Sequence, residues 1–347
     1  MLNATFWLYT VTLIPNLCYH YLLYLKSMKS LRIVLYVLSV VFLTTGTFAK
    51  SLKMSRANWD TGYFHAEIYK LGLEELGYKI KKLRDVKPSV FYVGATQGDV
   101  DLWVNGWEAN QKAYIDQTKG KVIPVGYVAK GGGMQGYLID KKTAEKYNIK
   151  SILDIKAHAK KFDRDGDGKA DLVACPPGWG CEKVITSHFE ELNLGEFINP
   201  IKAEYAATLA DSVSAYKNGQ SIFYYTWAPN WIFGTLKLGE DVVWIDVPTK
   251  TRNKIKIDNA TMDKINIGFA MDDIRAFANK DFLNDSPRAK KFLELASIPV
   301  SDISAQNFLM YKGEKSQKDI ERHAKDWIKQ NQTKFDGWIR EARKLTK

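Results

Sequence analysis

Cys175-Pro176-Pro177-Gly178-Trp179-Gly180-Cys181-Glu182 is the most informative stretch of the chain. Two cysteines six residues apart bracket a tight loop with Trp179 at its tip. The flanking Gly178 and Gly180 permit backbone angles and close approaches that other residues forbid. A helix is expected to begin at Cys181 or Glu182. Its first amides, above all those of Gly180 and Cys181, then lack intrahelical acceptors and form a site for an anion. One loop thus offers an aromatic face to a cation and amides to a carboxylate. The competing reading is a structural turn with Trp179 packed into the core. The cysteines also leave two states open, a disulfide or a Cys181 thiol activated at the helix N-terminus.

Two further stretches have the same character. Ser221-Ile222-Phe223-Tyr224-Tyr225-Thr226-Trp227 reads as a strand running into a turn at Trp227, the end at which α/β sheets bind ligands. Trp231, just beyond, fits a core role better. Asp99-Val100-Asp101-Leu102-Trp103-Val104-Asn105-Gly106-Trp107 is a strand ending in a Gly-Trp corner, with Trp107 the candidate wall and Trp103 core. Trp59, before the first helix, is a weaker fourth candidate. Indoles converging from separate loops select a cation with no hydrogens to donate, held by cation–π attraction at roughly 0.5–2 kcal/mol per ring. Three rings and a carboxylate contact reach micromolar affinity, about −8 kcal/mol. A sugar is the rival ligand for stacked indoles, but these loops are poor in the Asp, Asn and Arg side chains that sugars require.

Upstream of the cysteine loop, Asp163-Arg164-Asp165-Gly166-Asp167-Gly168-Lys169-Ala170-Asp171 matches the first half of a calcium loop. Asp163, Asp165, Asp167 and Asp171 would be the side-chain ligands, with the Lys169 carbonyl. Position twelve is Ala174 rather than a bidentate Glu, so the set is incomplete or borrows a ligand. A solvated acidic turn is the alternative. Any calcium here is structural, and no cofactor is required.

The 347 residues are too many for one ordinary core and suit two lobes. From Trp59 onward helical and strand patterns alternate: helices over 61–76, 87–97, 141–147, 151–160, 182–192 and 208–217, and almost only helix from 281 onward. Strands are expected at 78–83, 99–105, 134–139, 221–226, 241–247 and 265–275, with Gly131–Gly133 as a flexible turn. This alternation predicts mostly parallel sheets covered by helices, with the ligand in a cleft between lobes. The net charge of +11 comes from 50 bases interleaved with 39 acids, which reads as a solvated surface and not a nucleic-acid face.

Residues 26–49 have a basic start, an eleven-residue apolar run and a small-residue exit, the layout of a secretory signal peptide cleaved near Ala49. Residues 1–49 are therefore a leader. The signal peptide spans about 28–49; residues 1–27, apolar and aromatic and broken by Pro15, read either as an extra membrane segment or, more simply, as lying upstream of a start at Met28 and outside the native product. Without them 47 bases face 39 acids, a net of +8, and Cys175 and Cys181 remain as an even pair, as an oxidising compartment favours. The four remaining histidines, His65, His158, His188 and His323, fall in no nucleophile or zinc signature.

Phe162–Asp171, Cys175–Glu182 and Tyr224–Trp227, in this order and spacing, resemble the glycine betaine/L-proline ABC transporter periplasmic substrate-binding proteins of the ProX type. The likeness continues through Gly136–Lys142, Asp241–Val247, Asp302–Asn307 and Phe335–Trp338, and covers essentially the whole mature chain. It implies an α/β, type II periplasmic binding protein fold, with one lobe at 50–137 plus 267–347, the other at 138–266, and a ligand cleft between them. It also implies a box of Trp107, Trp179 and Trp227 for the trimethylammonium group, amides of Gly180 and Cys181 for the carboxylate, and a Cys175–Cys181 disulfide. Val104-Asn105 match the family, while Trp107 stands one position off. The family places a histidine shortly after the first box Trp. Here Glu108-Ala109-Asn110-Gln111 has none, and Asn110 or Gln111 is the expected substitute.

The expected function is thus a non-enzymatic periplasmic binding protein for glycine betaine or proline betaine that works as a monomer with the membrane subunits of an ABC importer. Carnitine, dimethylsulfoniopropionate and choline are alternative ligands. An exported thiol enzyme using Cys181 and a receptor's sensor lobe are readings of a different class.

Overall fold

Val122–Asp140 is a single strand of 19 residues around which the molecule is organised. The glycine run expected to form a turn lies inside it. Gly126, Gly131 and Gly132 take φ of 62°, 69° and 79°, and the pairing register shifts beside them. The glycines thus bend the strand as bulges do and leave it continuous. Gly133 has no alternative, because a Cβ there would run into the Asp272 carbonyl. The structure is a computed structural model that describes residues 50–250, 254–255 and 265–346, so the expected leader at 1–49 lies outside the described residues.

The main sheet has seven strands. Six run in the order Leu102–Trp107, Asp272–Asn279, Val122–Asp140, Phe223–Ala228, Ala170–Val173, Ile198–Ile201, and Val242–Trp244 also pairs with the long strand. The first half of the long strand pairs with Asp272–Asn279, and its last residues, Met134 to Ile139, pair with Phe223–Ala228. One strand therefore runs from one half of the sheet into the other. The expectation of mostly parallel pairing is corrected here. Within this sheet only Ala170–Val173 pairs parallel, with its two neighbours, while the small pairs of Lys50–Leu52 with Tyr78–Ile80 and of Ser55–Ala57 with Arg84–Val86 are parallel as expected. The pairs with the long strand and with Asp272–Asn279 are antiparallel. Helical crossovers join parallel neighbours, but a strand leaving one half of the sheet and a strand returning to it must run in opposite directions.

Local signals account for the helices that cover the sheet. Thr61–Glu75 stops before Gly77, at φ 86°, and Pro88–Gln97 has Pro at its start and left-handed Gly98 at its end. Asp140 and Glu204 accept first-turn amides of Lys141–Tyr147 and Tyr205–Lys217, and Ser316 with Asp319 closes a capping box on Gln317–Gln330. The C-terminal helices fold back onto Thr61–Glu75. Phe64 meets the edge of Trp327, and Trp327 stacks on Trp338. Trp231 stacks on Tyr311 at 4.2 Å, the core position anticipated for it, and Trp103 is fully buried.

Candidate functional site

A cavity opens where the long strand passes between the two halves of the sheet. Trp107 closes its own strand opposite Ile274, and Asp272 in the same neighbouring strand pairs with Gly133. Two residues further, Gln135 pairs with Trp227. The middle of one strand therefore brings Trp107 from one side and Trp227 from the other to the same place. The loop tipped by Trp179 supplies a third wall, and Trp59 a fourth. The empty space between these walls is about 290 Å³, part of it open to solvent.

The indoles are arranged with their polar edges occupied. Trp107 Nε1 donates to Asn105 at 2.8 Å, Trp179 Nε1 to Asn58 at 3.0 Å and Trp227 Nε1 to Thr61 Oγ1 at 3.0 Å. Trp179 packs against Trp59 at 5.0 Å between centroids and meets Trp227 at 5.7 Å, nearly edge-on. Tyr205 backs Trp227 at 4.7 Å. With the N–H groups of Trp107, Trp179 and Trp227 bonded to protein, what these rings can offer a ligand is a π-face, which attracts a cation without hydrogen-bonding to it.

The disulfide Cys175–Cys181 is formed, with Cα atoms 5.9 Å apart. Gly180–Leu192 begins one or two residues earlier than expected, with Trp179 as N-cap and no side chain capping its first amides. Gly180 and Cys181 line the cavity. Gly180 fits only as glycine, because a Cβ there would collide with the Asn110 carbonyl. Gly178, at φ 90°, accepts an amide from Ser89 and rests on Lys87, which docks the loop on the start of Pro88–Gln97.

Asn110 and Gln111 also line the cavity, and the Asn110 carbonyl lies against the helix start at Gly180. Asp272 holds their turn by accepting the amides of Ala109 at 3.1 Å and Asn110 at 2.9 Å. Burial pushes the Asp272 carboxyl up to about 6, against the lowering effect of those amides. Gln111 Oε1 accepts from Tyr92 at 2.9 Å, which turns the amide so that Nε2 is the end left for a ligand. Gln135 Oε1 accepts from Tyr225 at 2.6 Å and from Asn110 Nδ2 at 3.1 Å, and its Nε2 is buried without a partner. Burial pushes both tyrosine hydroxyls well above their usual range, so they remain donors.

Gln135, Tyr225 and Pro88 line the cavity without having been singled out in the sequence, and Trp59 ranks higher than expected. Asn58-Trp59-Asp60-Thr61, just before a helix, carried the available signal: Asn58 and Thr61 hold two box indoles and Trp59 packs on one. In the acidic loop Asp163, Asp165 and Asp171 come together, whereas Asp167 stands outside the cluster and accepts the Lys169 amide.

Residues 50–330 match the family described as the substrate-binding domain of ABC-type glycine betaine transport systems. The chain belongs to that family. It is 38% identical over 320 residues to the glycine betaine-binding periplasmic protein OusX of Dickeya dadantii, covering 88% of this chain and 96% of that one. It is 39% identical over 284 residues to the glycine betaine/proline betaine-binding periplasmic protein of Escherichia coli, covering 80% and 86%. Among solved structures, the glycine betaine/L-proline-binding protein ProX of Borrelia burgdorferi superposes with a TM-score of 0.67 at 21% identity, covering 83% of this chain and 96% of that one. Lactococcal OpuAC in its closed form with glycine betaine gives 0.65 at 20%, covering 84% and 99%. The periplasmic binding protein fold expected from the sequence is the fold observed. No helix among the described residues is long and apolar enough to cross a membrane.

Proposed function

We propose that this family member is the periplasmic receptor of an ABC importer for glycine betaine or proline betaine. The observation that carries the reading is a cavity walled by Trp107, Trp179 and Trp227, whose N–H groups are occupied by protein, set against an uncapped helix N-terminus. The trimethylammonium group lies among Trp107, Trp179 and Trp227, with Trp59 behind Trp179. The carboxylate takes the amides of Gly180 and Cys181, and of Asn110 and Gln111, the two candidates to replace the ProX-type histidine, we favour Gln111 through its Nε2, since its Oε1 already accepts from Tyr92. The exposed amides favour a zwitterion over choline, which has no anionic end to satisfy them. The lobes at 50–137 plus 267–347 and at 138–266 close over the ligand, and the closed monomer is handed to the membrane subunits after export and removal of residues 1–49.

The protein binds and does not catalyse. Cys181 is bonded to Cys175. His188 is fixed between the Tyr137 hydroxyl and the Gly268 carbonyl, and His65 is fully buried. Calorimetry against a panel of quaternary-ammonium osmolytes tests the assignment. Glycine betaine and proline betaine bind with micromolar affinity and choline binds more weakly; a protein indifferent to all three refutes it. Thiol titration of the native mature protein finds no free thiol, whereas two reactive thiols would favour an enzyme.

A further inference from the structure

The acidic loop at 163–171 lies in a different part of the molecule from the indole cavity. It joins the short helix ending at Lys161 to the strand Ala170–Val173, four residues before the cysteine loop begins. Asp163, Asp165 and Asp171 each bring a carboxylate oxygen to within 4.8 Å of the others. That separation matches oxygens ringing one calcium ion at roughly 2.3–2.6 Å. Acidic side chains often gather on surfaces without binding anything, but Asp171 is not a surface residue: it is 5% exposed. Its Oδ2 accepts the Arg164 amide at 2.8 Å, whereas its Oδ1 is shut off from solvent and has no hydrogen-bond partner. A buried carboxylate oxygen with no donor, beside two more carboxylates, lacks a positive partner. Lys169 does not supply one, because its ammonium donates to the Gly195 carbonyl.

We propose that this loop binds one calcium ion through Asp163, Asp165 and Asp171, with the orphan oxygen of Asp171 as the buried ligand. Asp163 remains able to bind metal while accepting the Gly166 and Gly168 amides, since each carboxylate oxygen has a second lone pair. The Lys169 carbonyl and water complete the shell. Position twelve is Ala174, which has no side-chain oxygen, so the site is weak, roughly 0.1–1 mM, in the range of extracellular calcium modules. The ion ties the Asp163 turn to the start of the strand that leads into the Trp179 loop.

The test is calorimetric titration of CaCl2 into chelator-treated mature protein, in parallel with thermal unfolding. A saturable single-site heat is expected, with a midpoint rise of about 2 °C at tenfold excess over Kd. Exposed Asp165→Ala, which removes the ligand oxygen and leaves the fold intact by circular dichroism, abolishes both. No saturable heat up to roughly 10 mM CaCl2, an unchanged heat in the Asp165→Ala variant, or an equal response to MgCl2 at matched ionic strength would overturn the proposal.

Discussion

Trp179 is the residue on which most of the site converges. Its indole touches Trp59, Tyr205 and Trp227, and its N–H is held by Asn58. Trp179→Ala removes one cation–π wall, roughly 0.5–2 kcal/mol, and leaves Trp59 and Trp227 without their shared neighbour. Betaine affinity falls by up to about thirtyfold, read as loss of the tryptophan fluorescence change on titration. Gln111 is, with Asn110, one of the two residues expected to stand in for the histidine of the ProX pattern. Gln111→Ala weakens betaine binding about tenfold, by loss of one hydrogen bond to a charged group. Gln111→His introduces a group that gains charge below about pH 6.5. Affinity in that variant tightens relative to the parent as pH is lowered from 8 to 6, measured by calorimetry at several pH values; identical profiles would place residue 111 out of reach of the carboxylate.

At the scale of the element, the loop from Cys175 to Cys181 and the helix after it act together. The disulfide closes a short loop, for which chain entropy gives a stabilisation of about 2 kcal/mol. Reduction therefore lowers the unfolding midpoint by several degrees, and it weakens ligand binding more than a remote change of equal stability, because Trp179 and both amides sit on the loop. Gly180→Ala tests the close approach to Asn110. The added methyl meets main chain, so strain of about 1–3 kcal/mol is expected. Binding falls at least tenfold while thermal unfolding stays cooperative. An alanine variant with unchanged affinity would show that the Asn110 turn is free to retreat.

At the scale of the whole molecule, Asp60, Asp272, His65 and His188 contribute to the response to acid. Burial pushes Asp60 and Asp272 up to about 6. A carboxyl raised in this way contributes stability that is fully present below its unfolded value near 3.8 and is lost as pH rises through about 6, a contribution of about 3 kcal/mol for Asp272. Burial also lowers His65 to about 3 and His188 to about 4. Their contribution is present above about 6.5 and lost as pH falls through those lowered values. The two pairs oppose each other between roughly pH 4 and 6.5. Asp272→Asn removes one side of the balance, so its stability relative to the parent declines as pH is lowered through 6 in denaturant titrations. Closure of the lobes is also a whole-molecule property. Small-angle scattering is expected to give a smaller radius of gyration with betaine than without, and equal values would argue against hinge motion.

Local chemistry determined much of this protein from sequence. Proline and glycine at helix ends, the Trp-Gly-Cys helix start and the hydrophobic runs predicted most elements and three of the cavity walls, because those signals act over a few residues. The long strand was hidden, since Gly131–Gly133 reads as a turn wherever its neighbours are unknown. Only pairing with Asp272–Asn279 before them and Phe223–Ala228 after them carries the strand through those glycines. The tertiary structure likewise decided which polar groups are aimed at the cavity. Gln135, Tyr92 and Tyr225 lie far apart in sequence from the residues they orient, and their roles arise from partners brought together by the sheet. Residue types and short spacings determined the kind of ligand end each loop can hold. The crossing of one strand between two halves of the sheet decided that these ends meet in a single cavity.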